Sequence, residues 1–341
     1  MNLRQFDSII DARTPAEYAL DHIPGAISAP VLDDAERAQV GTLYKQVSPF
    51  EAKKIGAALV AKNVALHVEK TFKGKTRDWK PLIYCWRGGK RSAAMAHILR
   101  EIGWNAETLP GGYKAYRRWV VEQLSEVPLE FRVVHGPTGS GKSRLLEALA
   151  RAGAQVLDLE DLAAHRGSVL GNLPGRPQPT QKWFESLLVR HLDDLDRSKV
   201  VYVEGESKKI GQLQVPDALM ARMRAAPCLR LEASLDTRVA LLLDAYRHFL
   251  ADRDSLGRQL DCLVALHGRE RIAAWKALAG RGAWPEFVAA LLTEHYDPAY
   301  RRSSAQNFAG LADARAVKIG SAADAAFSAA ARSLLEEAVP A

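Results

Sequence analysis

The stretch Tyr84-Cys85-Trp86-Arg87-Gly88-Gly89-Lys90-Arg91-Ser92 sets a single cysteine at the head of a short loop that holds two glycines and ends on Arg91. Before it, Lys80-Pro81-Leu82-Ile83-Tyr84 reads as a buried strand. After it, Ser92-Ala93-Ala94-Met95-Ala96-His97-Ile98-Leu99 has helical spacing. A cysteine between strand end and helix start faces backbone N–H groups and the positive end of a helix dipole, which favour the thiolate and hold anions. The glycines let the loop curl, and Arg87, Lys90 and Arg91 add positive charge. The residues read as an activated nucleophile facing an oxyanion rather than an inert core cysteine.

A second glycine loop follows. Phe131-Arg132-Val133-Val134-His135 is a β-type run leading into Gly136-Pro137-Thr138-Gly139-Ser140-Gly141-Lys142-Ser143, and Arg144-Leu145-Leu146-Glu147-Ala148-Leu149 continues as an amphipathic helix. Strand, G-x-x-x-x-G-K-S and helix in that order mark a phosphate-binding loop. Its amides, with Gly136, Gly139 and Gly141 permitting the curl, point at phosphate oxygens; Lys142 supplies a point charge and Ser143 a magnesium ligand. Asp158, Glu204 and Glu206 stand at the expected ends of the following strands, where open α/β sheets bind ligands. Glu204 is a second candidate for holding Mg²⁺, or a helix cap. Between the strands, His165-Arg166-Gly167-Ser168 and Pro179-Thr180-Gln181-Lys182-Trp183-Phe184-Glu185 form a polar, glycine- and proline-punctuated stretch suited to binding substrate, with His165, Arg166, Ser168 and Gln181 as candidates.

The 341 residues are enough for two domains with separate cores. The pattern predicts a first α/β unit over 1–124, with strands near Ser8–Asp11, Leu82–Cys85 and Ala106–Leu109. A linker over 125–130 and a phosphate-loop domain over 131–341 complete the chain. Strands are expected at 154–160 and 199–204, and a mostly helical pattern from about Val215. Three cysteines and no secretory leader point to a reducing cytoplasm, and no apolar run is long enough to span a bilayer. Cys228 and Cys262 read as packing residues, with no zinc spacing. A net charge of +7 favours a polyanionic partner. Lys70, Lys73, Lys75, Arg77, Lys80, Arg117-Arg118, Lys208-Lys209 and Arg301-Arg302 are its clusters, and together with the basic cysteine loop they suggest tRNA.

Two sets of motifs carry resemblances. Ile9-Ile10-Asp11-Ala12-Arg13-Thr14-Pro15-Ala16-Glu17-Tyr18, Asp21-His22-Ile23-Pro24-Gly25-Ala26 and Leu109-Pro110-Gly111-Gly112-Tyr113-Lys114-Ala115-Tyr116 resemble the opening and closing signatures of rhodanese domains around the cysteine loop. Nearly the whole chain resembles the bacterial tRNA 2-selenouridine synthases. The likeness takes in Cys85–Ser92, Leu32–Lys45, Gly136–Ser143, His165–Ser168, Pro179–Glu185, Val203–Gly211 and Tyr296–Tyr300. It departs at Leu170, where an aromatic is expected, and at Gly205, where alanine is common. Both departures are expected to lie clear of the nucleophile and the phosphate loop.

The resemblance implies a parallel-sheet rhodanese domain joined to a P-loop α/β domain with a helical C-terminal part. It implies an enzyme that first geranylates the sulfur of a wobble 5-substituted 2-thiouridine with geranyl diphosphate. The enzyme then exchanges that group for selenium from selenophosphate, through a perselenide (S-selanylcysteine) on Cys85 steadied by Arg87 and Arg91. No firmly bound cofactor is implied, Mg²⁺ at Ser143 and Glu204 being an option. The implied partners are tRNA and the enzyme that makes selenophosphate. Whether the loop holds geranyl diphosphate, ATP or both is open, with geranyl diphosphate favoured. An ATP-dependent sulfurtransferase using a Cys85 persulfide and a nucleotide-switched RNA-binding protein are the alternatives. The first lacks an S-G-G-x-D-S motif, and the second has no need of an intact cysteine.

Overall fold

In the computed structural model, β1 (Ser8–Asp11), β2 (Ile27–Ser28), β3 (Pro81–Tyr84) and β4 (Glu107–Thr108) make a parallel sheet in the order β2-β1-β3-β4. Ile10 stands opposite both Ile27 and Ile83, and Ile83 opposite Thr108. The structure describes residues 1–168, 170–247, 253–304 and 308–337, without the side chains of 302–304; Val169 of the polar stretch and the Arg302 side chain fall outside it. β3 is buried at every position, as suits a strand of a parallel sheet covered on both faces. Ile10, Ile83, Met95 and Leu99 form the core with Val64, Phe72 and Trp79. The segment from Val31 becomes a helical pair, Asp34–Gln46 and Pro49–Lys70, started by capping side chains at Asp33 and Ser48.

The unit containing this sheet comprises Met1–Leu124 and also Thr180–Arg190, most of a helix spanning Gln181–Asp193. That helix lies within the stretch the sequence assigns to the phosphate-loop domain. Trp183 stacks on His22 at 3.9 Å between ring centres, and His22 on Tyr18 at 3.8 Å. Glu185 pairs with Arg117.

The other unit holds β5 (Phe131–His135), β6 (Gln155–Leu157), β7 (Val201–Glu204), β10 (Pro227–Ala233) and β11 (Gly310–Ile319), all parallel, in the order β11-β10-β5-β7-β6. A small antiparallel hairpin, β8 (Lys209–Ile210) with β9 (Leu213–Gln214), follows β7. Two sequence expectations are corrected here. The strand expected over 154–160 ends at Leu157, because Asp158 accepts the Asp161 N–H at 2.7 Å and starts a short helix, Leu159–Leu162. The region after Val215 is mostly helical but also supplies β10 and β11. Its helices from Leu235 to Ser304 have a core of their own around Leu260, Ile272, Trp275 and Phe287. Cys228 is buried in β10, whereas Cys262 is exposed, its Sγ 3.7 Å from the Arg258 carbonyl, which corrects the reading of it as a packing residue.

Candidate functional sites

Cys85 follows β3 and is buried. Its sulfur accepts the Gly89 N–H at 3.3 Å and the Ser92 hydroxyl at 3.2 Å. Gly89 caps the helix Lys90–Glu101 with no side chain on its first-turn amides, so the positive helix end remains available to an anion. Gly88 has φ +66°, and a Cβ there would lie 2.7 Å from the Leu109 carbonyl oxygen. The closing G-G-Y motif clamps the loop from behind: Tyr113 and Lys114 donate their N–H groups to the carbonyls of Cys85 and Trp86 at 2.8 and 3.0 Å. A Cβ on Gly112 would stand 2.2 Å from the Cys85 carbonyl oxygen, so that approach requires glycine.

Arg87 is exposed on the loop. Arg91, by contrast, is turned to Glu17, 2.9 Å away, an interaction that holds Glu17 below its ordinary pKa against the upward push of burial. The D-x-R and H-I-P-G-A motifs do structural work beneath the loop. Arg13 grips Asp11 at 2.6 Å and stacks on the Tyr113 ring. The hydroxyls of Tyr84 and Tyr113 donate to Asp11 and Asp21 at 2.7 Å each. Arg13 and Asp11 pair within this cluster, which is the condition for keeping ions in a core, whereas Asp21 Oδ1 has no hydrogen-bond partner among the described residues and burial raises its pKa.

The phosphate loop joins β5 to the helix Lys142–Arg151. Gly139 and Gly141 take φ of +78° and +89°, and no side chain caps the helix start. Lys142 Nζ rests on the Gly136 carbonyl at 3.1 Å. The loop opens on a cavity that also reaches Glu160, Arg166, Ser168, Gly205 and Glu206. His135, at its edge, is 2 % exposed with both ring nitrogens lacking a hydrogen-bond partner among the described residues, as does Ser140 Oγ. Burial, reinforced by Lys142, lowers its pKa to about 4. Two buried neutral groups without hydrogen-bond partners, set beside the Lys142 cation, are suited to an anion.

The carboxylates sort differently from the sequence expectation. Ser143 Oγ donates to Glu160 Oε2 at 3.1 Å, and Glu160 shares a hydrogen bond with Glu206. Burial and Glu206 raise Glu160 to about 7. Glu204 lies beneath, 1 % exposed, accepting the Glu160 N–H at 2.7 Å; burial raises it well above the usual carboxylate range. So the carboxylate beside Ser143 is Glu160, which sequence reading missed by treating it as the end of a strand. Among the described residues, no three His, Cys, Asp or Glu side chains are arranged to hold an ion by themselves. Ser143, Glu160 and Glu206 are nevertheless the hard-oxygen set that Mg²⁺ takes when substrate phosphates complete its shell.

Of the remaining candidates, Arg166 and Ser168 line the cavity, Arg166 lying over the Tyr246 ring. His165 instead stitches its own turn, accepting the Gly167 N–H at 3.1 Å, and burial lowers its pKa. Gln181 bonds Glu185 at 2.8 Å on the helix of the other unit. Gly205, expected to lie clear of the loop, lines the cavity, and its Cα abuts His135: a Cβ there would be 2.3 Å from the imidazole.

Residues 1–118 match the rhodanese-like domain family and residues 129–259 the tRNA 2-selenouridine synthase AAA domain family. The chain is similar to the tRNA 2-selenouridine synthase of Bdellovibrio bacteriovorus, 39% identical over 252 residues that cover 70% of this chain and 64% of that protein. It is 35% identical to that of Nitrosomonas europaea over 70% of this chain and 63% of that protein. It is 33% identical to that of Marinobacter nauticus over 86% of this chain and 87% of that protein. The match thus spans somewhat under two thirds of the length of the first two relatives.

Proposed function

The chain belongs to the tRNA 2-selenouridine synthase family, and from that premise we propose that it is a tRNA-modifying transferase exchanging sulfur for selenium at a wobble 2-thiouridine. The observation that carries this reading is the presence, in one chain, of a sulfur atom seated between two donors and a phosphate cradle with partnerless neutral donors.

In the first step the phosphate loop holds geranyl diphosphate. The thiocarbonyl sulfur of the base attacks the C1 carbon, the C–O bond breaks, pyrophosphate leaves and the base gives up its N3 proton. Lys142 and the loop amides stabilise the departing charge; Mg²⁺, when bound through Ser143 and Glu160, would neutralise the same phosphates. Alkylation turns a poor leaving group, sulfide, into a departing thiol.

Cys85 carries selenium in the second step, and electron balance decides how. Attack of the bare thiolate on the selenium of selenophosphate would leave phosphorus as phosphite, so it is not the route. With Cys85 as a mixed disulfide to a small thiol, selenophosphate selenium attacks its sulfur and the small thiolate leaves. Water then cleaves the Se–P bond, releasing phosphate and the Cys85 perselenide. The terminal selenium attacks C2, geranyl thiol departs, and a small thiol cleaves the remaining S–Se bond, giving the selenouridine and restoring the mixed disulfide. The helix amides and the exposed Arg87 favour the perselenide anion. The partners of this reading are tRNA and a selenophosphate-producing enzyme, in the cytoplasm.

Nucleoside mass spectrometry on 2-thiouridine tRNA with geranyl diphosphate, selenophosphate and a thiol–disulfide pair tests it. We expect selenouridine from the wild type, S-geranyl product accumulating with Cys85→Ser, and neither product with Lys142→Ala. Full geranylation by Lys142→Ala would remove the diphosphate from the loop. Absence of both products from the wild type would sink the reading.

A further inference from the structure

The phosphate cavity continues into an apolar slot within the same unit. Helices Leu235–Ala245, Arg253–Asp261 and Trp284–Leu291 enclose it, and Leu170, Leu242, Leu256, Trp284 and Phe287 form its walls. Thr138 of the phosphate loop, Leu242, Tyr246 and Tyr296 border both spaces.

The adjacency is built rather than incidental. Arg238, itself buried, donates to the Thr138 carbonyl at 3.0 Å and is paired with Asp297 at 2.6 Å, which ties the loop to the helical part. A Cβ on Gly139 would lie 2.9 Å from the Leu242 side chain, so the loop rests directly on the slot wall. The Tyr246 hydroxyl and Ser168 Oγ meet at 3.3 Å at the mouth. The polar groups thus stop at the entrance.

We infer that the slot receives the hydrocarbon tail of an allylic diphosphate whose phosphates lie on the loop, and that Leu170, Trp284 and Phe287 limit the length of that tail. The inference rests on the reading of the loop as a diphosphate site and adds the chemistry of the other end. A nucleoside base entering this slot would leave its ring nitrogens and exocyclic groups unpaired, a desolvation cost that a hydrocarbon escapes. Each buried methylene adds about fourfold in affinity. Leu170, where the family resemblance leads one to expect an aromatic, then acquires a meaning: the smaller side chain leaves the slot deeper.

Titration of the full-length protein, with Mg²⁺ present, by inorganic pyrophosphate, dimethylallyl, geranyl and farnesyl diphosphates and ATP tests this. Leu170→Phe and Phe287→Ala are run beside the wild type, with melting curves to establish that each folds. The wild type is expected to bind geranyl diphosphate at least tenfold tighter than pyrophosphate. Leu170→Phe should weaken farnesyl diphosphate at least tenfold while holding geranyl diphosphate and pyrophosphate within about twofold, and Phe287→Ala should shift preference toward the longer farnesyl chain. Farnesyl binding unchanged in both variants would place the tail elsewhere and overturn the slot, leaving the diphosphate reading intact. Equal binding of pyrophosphate and geranyl diphosphate by the wild type would do the same. Binding of ATP with no binding of pyrophosphate or any prenyl diphosphate would overturn both.

Discussion

His135 ends β5 with its imidazole against the Gly205 backbone and edge-on to Phe308, 4.2 Å between ring centres. Nothing in the β-type run marks it as special, since its burial follows only when β7 and the segment before β11 close over it. Its folded pKa of about 4 lies below the 6.5 of an unfolded imidazole, so in that interval the unfolded chain binds the extra proton and stability falls as pH drops. Asp158 and Glu160, raised mainly by burial to about 6 and about 7, act in the opposite sense. There the folded chain binds the extra protons, and stability falls as pH rises through the window. The wild-type profile should therefore be flattened by cancellation. His135→Phe keeps an aromatic on Phe308 and removes the histidine contribution, so the gap between variant and wild type should widen in the variant's favour by roughly 2 kcal/mol from pH 7 to pH 5. Urea unfolding at stepped pH measures it, and parallel profiles would show that the imidazole titrates normally.

The helix Gln181–Asp193 shows what a linear pattern conceals. Its motif follows the phosphate loop in sequence, yet Thr180–Arg190 packs with the cysteine unit. Trp183 lies on His22, and Glu185 pairs with Arg117 where both are largely shielded from water. Stacked aromatics contribute on the order of 1 kcal/mol beyond their buried area. Trp183→Ala should therefore lower the unfolding free energy of that unit by about 2 kcal/mol or more, counting the lost burial. It should also speed amide exchange across 180–190 tenfold or more; unchanged exchange there would mean the stack does not hold the helix.

The elements that were legible share one property: their signal is local. β1 and β3 are apolar runs that end in motif residues, and the phosphate loop is specified by its own spacing, so each was found to within a residue or two. β10 and β11 were not. Pro227–Ala233 and Gly310–Ile319 carry alanine and arginine among few β-branched residues, and their extended form comes from pairing with β5 and with each other across some ninety residues of chain. Glu160 escaped for a related reason. Its role depends on Asp158 turning the chain into a helix that carries it to Ser143.

At the scale of the whole molecule, each chemistry is housed in one unit. The donors to Cys85 and the G-G-Y clamp all lie between Cys85 and Lys114 in the unit of β1–β4. The phosphate loop, its carboxylates and the apolar slot all lie in the unit of β5–β11. Among the described residues, the side chains named at each site come from that site's own unit, while the net charge of +7 gives the chain a long-range attraction for polyanions. Under the proposed two-step exchange, each half-reaction should therefore run on a chain whose other site is dead. Cys85→Ser and Lys142→Ala, mixed with thiolated tRNA and both co-substrates, should together produce selenouridine that neither makes alone, at a rate that rises with protein concentration as S-geranyl tRNA passes between chains. Adding salt from about 50 to 200 mM should slow that transfer by an order of magnitude or more, since rebinding depends on phosphate contacts. If Cys85→Ser geranylates and Lys142→Ala selenates tRNA geranylated beforehand, yet the mixture stays inactive, the intermediate is not released, and the two sites serve one tRNA bound to one chain.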